Sequence, residues 1–520
     1  MKRLTSIFIC SVMLGTVGIS SAGTSWQENL TELLQTDDPG TRTELIEKIV
    51  ASEPDWQEVS QVIEMQSFPQ PAERGLILRH NLCEDNVERP WVLYIPESYN
   101  PDTPTPLLLA LHGGVSRAEL IEEPLEYASE TAYYQLAKEQ GMLAVWPLGQ
   151  KDAVWWDEVG MDNIRDQLLT VKREFNVDDD RLYMIGYSDG ASAGFCWAML
   201  EPNWFAGFIA LSGHLGVGSL DGELPTFATN LANTALYAVT SFEDQLYPSA
   251  RMRGTLEMAL EAGGDIFYRE QEGPHDFSYA EEELPLVTRF IERHPRDPFA
   301  PRLSWETTGA QFGSCRWLSV DQVSSATAAD WYQDYNYALT NDRITVGFMP
   351  DNDFEGDGMR VDSVLDGTFA KTAGLLEGDI IIRAGSFKIK DNDDLLEWKA
   401  AVKRGDKVEL EVLRGGGNVV LQGALPPVDS YFLFKRERPS GRVKALFHGN
   451  QVELITSRVG AVSILIHPDM FRLEREIGIT LDGRELFNGL VEPDLEFMLR
   501  NFLQERDRRL LYVARIELEL

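Results

Sequence analysis

The sequence predicts an α/β fold whose main unit is a mostly parallel sheet covered by helices on both faces. Between residues 71 and 296, apolar runs such as TPLLLALHGG, RLYMIGYS and FAGFIALSG alternate with amphipathic stretches such as IRDQLLTVKREF. Strands buried on both faces read as continuous apolar runs, and alternation of strands with helices is typical of parallel sheets. After residue 296 the pattern changes to short alternating strands and turns, which predicts a further β-rich region.

The composition and the first residues predict an exported globular protein. The chain has 520 residues, of which 43% are hydrophobic and 25% charged, and its formal net charge is -36. A chain this acidic is not expected to bind nucleic acid. A basic start, an apolar run and small residues up to Ala22 predict a signal peptide over residues 1–22. The apolar run is short for a membrane span, so no stable span is expected, and the destination is the periplasm, the cell surface or the medium.

Three cysteines lie beyond this segment. An odd number this small does not indicate a disulfide framework. Cys196 falls in an apolar helical stretch and is expected in the core. A single bridge between Cys83 and Cys315 stays open at this stage.

Changes of pattern divide the rest of the chain. Residues 23–70 carry helical patterns without evident chemistry, and residues 71–296 form the α/β unit. Residues 297–340 and 429–520 look like two parts of one β-rich domain, into which residues 341–428 are inserted.

Ser188, in the stretch YMIGYSDGASAGF, is the candidate nucleophile. It lies between Gly186 and Gly190, after a predicted strand and before a predicted helix. A strand-to-helix corner of this kind forces the central residue into a strained turn that exposes its hydroxyl. Gly113 and Gly114 follow another buried strand, and their N–H groups, with that of Asp189, are expected to form an oxyanion hole.

A serine nucleophile needs a base and an acid that follow it in the chain. His275 lies in a loop between a predicted strand and a predicted helix and is the best placed of seven histidines. The acid is expected just beyond a strand between Ser188 and His275. Asp244 in AVTSFEDQLYPSA meets this condition, with Glu243 as the alternative.

Residues 71–296 resemble secreted α/β-hydrolase esterases, the group within the prolyl-oligopeptidase-like superfamily that includes feruloyl esterases and polyhydroxybutyrate depolymerases. The matching pieces are YIPESYNPDTPTPLLLALHGG, DDDRLYMIGYSDGASAG, SFEDQLYP and EGPHDF. The resemblance implies an α/β-hydrolase fold and a triad of Ser188, Asp244 and His275. Two departures stand out: Thr240-Ser241 where relatives usually have His-Gly, and Asp189-Gly190 after the nucleophile. A carboxylate at residue 189 would disfavour a nearby oxyanion or select a cationic substrate.

Three further residues are candidates for the substrate pocket. Trp155 and Trp156 precede the helix that leads to the nucleophile strand and are expected to line an aromatic acyl or sugar-ester pocket, with core packing as an equal alternative. His214 follows the strand after the nucleophile and is a weaker candidate, with an ordinary loop role as the alternative.

Residues 341–428 resemble a PDZ domain of the bacterial secreted type, through TVGF, MRVDSVLDGTFAKTAGLLEGDIII, DDLLEWKAAV and GDKVELEVLRGG. The resemblance implies that Val346, Gly347 and Phe348 offer N–H groups to a peptide C-terminal carboxylate, beside the helix around Leu395. A scaffold or spacer is the alternative. DNDFEGDGMRVD partly matches a calcium loop, but no helices flank it, so a solvated acidic turn is expected, with no metal and no other cofactor.

The expected function is that of an exported serine hydrolase that cleaves a carboxylic ester of a small molecule or a polymer, with a PDZ domain that docks a protein C-terminus. A serine peptidase of the prolyl-oligopeptidase-like type shares the fold and the triad, although the sequence has no propeller domain to guard the site. A non-catalytic exported adaptor is the other alternative, and it would predict a broken triad.

Overall fold

A computed structural model describes residues 25–351 and 354–520 of the chain. The predicted signal peptide, residues 1–22, lies outside the described residues. None of the helices in the described ranges is both long enough and apolar enough to cross a membrane.

The chain begins with three short helices, each started by a side chain that accepts a backbone N–H. Ser25 and Glu28 form a capping box at the first helix, and Asp38 and Asp55 cap the next two. The helices are α1 (Trp26–Gln35), α2 (Pro39–Ala51) and α3 (Trp56–Glu64). Their apolar faces are buried in one core with the C-terminal strands, so this helical region is a layer of the β-rich domain.

An eight-stranded sheet follows, and its bounds match the apolar runs of the sequence. Its strands are β1 (Gly75–Leu82), β2 (Glu88–Ile95), β3 (Thr105–Leu111), β4 (Leu143–Pro147), β5 (Val177–Tyr187), β6 (Gly207–Leu211), β7 (Ala235–Ser241) and β8 (Asp265–Gln271). They are ordered β1-β2-β4-β3-β5-β6-β7-β8. The pairs β1–β2 and β2–β4 are antiparallel, and the pairs from β4–β3 to β7–β8 are parallel.

Helices cover both faces of this sheet. They are α4 (Pro124–Glu130), α5 (Ala132–Gln140), α6 (Glu158–Glu174), α7 (Asp189–Leu200), α8 (Val217–Leu220), α9 (Ser249–Glu261) and α10 (Ala280–Arg293). Alternate residues of the strands enter two separate cores: Leu107 and Leu109 lie in one, and Leu108 lies in the other. The predicted α/β-hydrolase fold is confirmed.

Strands on both sides of residues 341–428 pair with one another. The first group is β9 (Arg302–Thr307), β10 (Ser314–Cys315), β11 (Leu318–Val323) and β12 (Ala338–Asn341). The inserted unit holds β13 (Phe348–Pro350), β14 (Met359–Val364), α11 (Phe369–Ala373), β15 (Ile380–Ala384), β16 (Phe387–Lys388), α12 (Asn392–Ala401), β17 (Lys407–Arg414) and β18 (Gly417–Ala424). The last group is β19 (Asp429–Phe432), β20 (Gly441–His448), β21 (Gln451–Ser457), β22 (Val459–Ile466), β23 (Ile477–Leu481), β24 (Arg484–Gly489), α13 (Leu495–Glu505) and β25 (Ala514–Glu519).

Two sheets build the β-rich region, with orders β24-β23-β21-β20-β9 and β10-β11-β22-β25. Each sheet takes strands from both groups. Strands β12 and β19 form a separate two-stranded ribbon that carries the inserted unit, whose own sheet is ordered β13-β14-β15-β17-β18. Cys83, Cys196 and Cys315 are buried free thiols, so the bridge left open between Cys83 and Cys315 is not formed.

Candidate active site

Ser188 lies at the sharp turn between β5 and α7. Its φ of 56° and ψ of -118° are unusual for a residue with a side chain. The packing of β5 and α7 on either side stabilises this strained backbone conformation. The turn requires glycine at both flanks. A Cβ on Gly186 would overlap the backbone of Gly190, and a Cβ on Gly190 would overlap the carbonyl oxygen of Leu111.

The three residues predicted for the triad lie within hydrogen-bond distance of one another. His275 Nε2 is 2.9 Å from Ser188 Oγ, and His275 Nδ1 is 2.7 Å from Asp244 Oδ2. Because an ionised carboxylate only accepts hydrogen bonds, Nδ1 carries the proton, which leaves Nε2 as an acceptor for the serine hydroxyl. This is the tautomer that a general base needs. The arrangement arises because parallel strands β5, β7 and β8 end at the same edge of the sheet.

Asp244 is fixed independently of the histidine. The residue is 2% exposed, and Oδ1 accepts hydrogen bonds from the N–H groups of Leu246 and Tyr247, both at 2.7 Å. Glu243, the alternative acid, is exposed and accepts from the N–H of Gly273. The geometry therefore selects Asp244 over Glu243 as the partner of the imidazole.

The predicted oxyanion loop lies directly against the serine. A Cβ on Gly113 would be 2.8 Å from the Cβ of Ser188, so only glycine allows this approach. Within residues 25–351 and 354–520, the N–H groups of Gly114 and Asp189 have no hydrogen-bond acceptor. These two donors can therefore stabilise a negative charge that develops on a carbonyl oxygen beside Ser188.

His112 fixes the conformation of this loop. Its Nε2 accepts from the N–H of Gly149 at 3.0 Å, so Nδ1 carries the proton and donates to the carbonyl oxygen of Gly113 at 2.8 Å. Burial lowers the pKa of His112, which keeps the ring neutral. Trp155 donates from Nε1 to the carbonyl oxygen of His112 at 2.9 Å, and its ring packs edge-on against the imidazole.

The carboxylate of Asp189 has a structural partner. Its Oδ2 accepts a hydrogen bond from the N–H of Val115 at 3.0 Å. The side chain thus joins the first turn of α7 to the loop that holds Gly113 and Gly114. The sequence could not indicate this bond, because the two residues lie 74 positions apart in the chain. The expectation that the carboxylate opposes the oxyanion or selects a cation stays a prediction.

The three pocket candidates have different environments. Trp155 is 0% exposed, so it does not line a substrate pocket, and its role is the support of His112. Trp156 is 5% exposed, donates to Asp221 Oδ2 at 2.8 Å and lines a cavity of about 780 Å³ together with Asp221 and Phe312. His214 is close to the site: its ring centroid is 5.7 Å from that of Tyr247, which is 5.7 Å from that of His275.

His214 is held neutral. Its Nδ1 accepts from the N–H of Gly216 at 3.1 Å, and burial lowers its pKa to about 4. Three aromatic residues that the sequence analysis did not single out also contact or border the catalytic imidazole. Tyr187, Tyr247 and Phe277 surround it, with the Tyr187 ring 5.1 Å from the His275 ring and stacked on Phe277. Adjacency to Ser188 and His275 in the chain was the available signal for Tyr187 and Phe277.

Comparison with known proteins identifies the inserted unit. A family model for the PDZ domain matches residues 340–422. These residues form a PDZ domain. The match covers less than a fifth of the chain, so it identifies this unit alone.

The hydrolase unit is similar to known esterases. The chain is 30% identical over 139 residues to a bifunctional acetylxylan esterase/xylanase from Neocallimastix patriciarum, a match that covers 26% of this chain and 19% of that protein. The chain therefore spans about a fifth of that relative's length. Among solved structures, a ferulic acid esterase is 16% identical with a TM-score of 0.36, over 42% of this chain and 98% of that one. A thermostable esterase is 20% identical with a TM-score of 0.35, over 42% of this chain and 63% of that one.

The PDZ domain has an open sheet edge at β13. Gly347, with a φ of 95°, accepts the N–H of Leu365 through its carbonyl oxygen, so the backbone groups of the next residue, Phe348, point away from β14 towards the free edge. Val346 and Leu395 are each 2% exposed and belong to the domain core. Leu395 is therefore not accessible to a peptide, whereas its neighbour Leu396 is 48% exposed.

Two acidic regions bear on the expectation of a metal site. One group of carboxylates, Glu84, Glu158 and Asp162, has oxygens within 4.8 Å of one another on the surface. In the stretch that partly matched a calcium loop, Asp351 pairs with Arg360 and Asp362 is exposed, while Asp353 lies outside the described residues.

Proposed function

We propose that the protein is an exported serine hydrolase that cleaves a carboxylic ester, and that its PDZ domain docks a peptide or protein C-terminus. The observation that carries the proposal is the continuous hydrogen-bond chain from Ser188 Oγ through His275 to Asp244, next to two unpaired N–H donors. Similarity to esterases supports an ester as the substrate class.

The chemistry follows from these positions. His275 Nε2 takes the proton of Ser188 as Oγ attacks the ester carbonyl carbon, and the carbonyl π electrons move to its oxygen. The N–H groups of Gly114 and Asp189 donate to that oxyanion. The tetrahedral intermediate collapses to an acyl-enzyme, and protonated His275 gives its proton to the departing alcohol.

Water completes the cycle. His275 removes a proton from water, the resulting hydroxide adds to the acyl carbon, and the serine oxygen leaves with the proton from the imidazole. Asp244 stays ionised throughout and stabilises the imidazolium that forms twice in each turnover.

The test is hydrolysis by purified residues 23–520 and by the Ser188→Ala variant. The substrates are p-nitrophenyl acetate and butyrate, a feruloyl ester and a chromogenic peptide. We expect ester turnover by the native protein and a loss of roughly a millionfold in the variant. A fluorophosphonate probe should label the native protein and not the variant.

The alternatives give different results in the same experiment. A peptidase of the prolyl-oligopeptidase-like type would cleave the peptide faster than the esters. An adaptor would cleave nothing, and the fluorophosphonate probe would leave Ser188 unlabelled. Accumulation of the native protein in the periplasm or medium, with cleavage after Ala22, tests export separately.

A further inference from the structure

His214 is anchored to the turn that carries the candidate nucleophile. Its backbone N–H donates to Oγ of Ser192 at 3.0 Å, and Ser192 donates from Oγ to the carbonyl oxygen of Ser188 at 3.2 Å. Gly213 allows this close approach, since a Cβ there would be 2.6 Å from the Cβ of Ala191. His214 therefore lies against the first turn of α7 and is linked to Ser188 through one side chain.

The backbone just before His214 is strained. Ser212 has a φ of 55°, in the left-handed region that residues with a side chain seldom adopt. Its N–H donates to the carbonyl oxygen of Val239 at 2.8 Å, and its hydroxyl is 2.7 Å from the hydroxyl of Tyr279. Strained turns persist where the surrounding structure stabilises them, and they are concentrated at functional sites. This turn therefore supports a functional role for the residue that it positions.

Tyr247 lies between His214 and the candidate catalytic imidazole. The ring centroids of His214 and Tyr247 are 5.7 Å apart, and those of Tyr247 and His275 are also 5.7 Å apart. The backbone N–H of Tyr247 donates to the candidate acid Asp244 at 2.7 Å. The imidazole of His214 is therefore one aromatic side chain away from His275.

The imidazole of His214 is a hydrogen-bond donor at Nε2. Because Nδ1 accepts the N–H of Gly216 at 3.1 Å, the proton of the neutral ring is on Nε2. Burial and then the nearby Arg251 lower the pKa of His214 to about 4, so the ring is neutral where a histidine base can act. The two ring nitrogens point in roughly opposite directions, so Nε2 is directed away from the loop that holds Gly216.

This donor has no acceptor in the part of the chain that the structure describes. His214 is only 6% exposed, yet Nε2 keeps some contact with solvent and is not enclosed. An unpaired donor in a largely buried position costs free energy, and an acceptor oxygen that enters the cleft removes this cost. The imidazole is therefore suited to bind an oxygen atom of a ligand.

The charges around this donor favour a neutral acceptor. Asp189 is the residue after the candidate nucleophile, and Asp244 is hydrogen-bonded to the candidate base, so an anionic group beside them would be repelled. Neutral His214 offers no positive charge to offset this repulsion, and Arg251 is already paired with Asp342. A hydroxyl, ether or carbonyl oxygen accepts a hydrogen bond without adding charge.

We propose that the Nε2–H group of His214 is a specificity-determining hydrogen-bond donor to the ester substrate. This rests on the proposed esterase function and names its substrate class: esters that carry a second, uncharged oxygen acceptor near the scissile carbonyl. The acceptor belongs either to the acyl part or to the alcohol part of the ester.

The experiment compares esters that differ by one ether oxygen in place of a methylene group. For the acyl part, the pairs are p-nitrophenyl methoxyacetate with butyrate and p-nitrophenyl β-methoxypropionate with pentanoate. For the alcohol part, the pair is methoxyethyl butyrate with butyl butyrate. The ratio of kcat/KM within each pair is measured for the full mature chain and for each variant. Comparing the ratio of a variant with the native ratio cancels the intrinsic reactivity of the esters.

Two variants separate the donor from the local structure. In His214→Asn an amide oxygen can still accept the N–H of Gly216, but the donor at Nε2 is lost. The ratio that favours the ether ester should therefore fall about threefold to tenfold. His214→Gln places an amide N–H near the position of Nε2 and should restore most of the ratio. A merely structural role of His214 would change both esters of a pair alike.

His467→Asn is the matched control. His467 is 8% exposed, its Nδ1 accepts the N–H of Asp469 at 3.1 Å, and burial lowers its pKa to about 4, as for His214. Its ring packs against Phe299 and Tyr512 in the β-rich domain. This variant should leave every ratio unchanged.

The result also assigns the acceptor. A fall in the acyl pairs alone assigns it to the acyl part, a fall in the alcohol pair alone assigns it to the alcohol part, and a fall in both means that the donor serves either part. Native ratios in His214→Asn for every pair, or an equal fall in His467→Asn, overturn the proposal. Both esters of a pair report on the same folded fraction, so partial unfolding of a variant cancels. Turnover of p-nitrophenyl butyrate by the native protein reports on the triad, which separates failure of this proposal from failure of the proposed function.

Discussion

Replacing Asp189 tests whether this residue organises the oxyanion hole. Its carboxylate accepts the N–H of Val115, a residue that is 1% exposed and lies next to Gly114 in the chain. In the Asp189→Ala variant this N–H loses its acceptor in a buried position, which costs about 1–3 kcal/mol. The loop that carries the Gly114 donor is the part of the structure that loses this hydrogen bond. We therefore expect the lost free energy to weaken mainly the stabilisation of the transition state.

The expected loss follows from that free energy. If most of it is expressed as misalignment of one oxyanion donor, kcat falls by about 10-fold to 100-fold, since each 1.4 kcal/mol corresponds to a factor of ten. This is below the effect of deleting a donor outright, which is about 100-fold to 1,000-fold. KM should change little, because the substrate carbonyl carries less charge before the reaction.

The assay is the steady-state hydrolysis of p-nitrophenyl butyrate by a matched set of variants. Asp189→Asn keeps an oxygen that can accept from Val115 and should retain kcat within about threefold. Glu119→Ala removes an exposed carboxylate from the same loop region and should have no effect.

Three outcomes would refute this reasoning. A native kcat in Asp189→Ala would mean that the loop does not depend on the bond. A faster reaction in both Asp189 variants would show that the negative charge opposes the oxyanion, as the sequence alone suggested. Equal losses in the Ala and Asn variants would point to the charge and not to the hydrogen bond.

The remaining predictions concern stability. The pKa of buried His214 is lowered from 6.5 to about 4, so its contribution to stability is present above pH 6.5 and is lost as the pH falls towards 4. Between pH 6.5 and pH 4 the free energy of unfolding of His214→Asn should therefore fall by up to about 3 kcal/mol less than that of the native protein. Urea unfolding at both pH values measures this difference. If the variant loses as much stability as the native protein, His214 is not the source of the loss. Gly216→Ala should lower the melting temperature, since its Cβ meets the Leu433 backbone at 2.6 Å and such overpacking costs about 1–3 kcal/mol. Gly190→Ala should prevent folding of the hydrolase unit, because the new Cβ overlaps a strand carbonyl oxygen, and a soluble variant with a native melting curve would contradict this.

The parallel sheet was predictable because its strands are buried on both faces. In β3, TPLLLAL, six of the seven residues are buried and the other one, Pro106, is half-buried. The strand is therefore a continuous apolar run without alternating polar residues. The chain order of Ser188, Asp244 and His275 follows from the same topology. Parallel strands end at one edge of the sheet, so loops after β5, β7 and β8 must meet there.

Features that depend on which surfaces meet were not predictable. The spacing of apolar residues in the sequence indicated that α1 and α2 each have an apolar face. That spacing does not indicate that C-terminal strands cover these faces. The burial of Trp155 has the same origin. Its sequence neighbourhood fits a pocket as well as a core, and the hydrogen bond to His112, 43 positions away, decides between them.

The position of the PDZ domain shows why an inserted domain needs more than its own sequence to be interpreted. As a separate unit it fits a spacer as well as a docking module, because its fold is the same in both roles. The sequence of the domain does not show how the ribbon that carries it is packed. Leu433 is fully buried against the hydrolase unit and Arg251 pairs with Asp342, so the chain contacts the hydrolase unit on both sides of the domain. A loosely tethered module would not need these contacts, and only the structure reveals them.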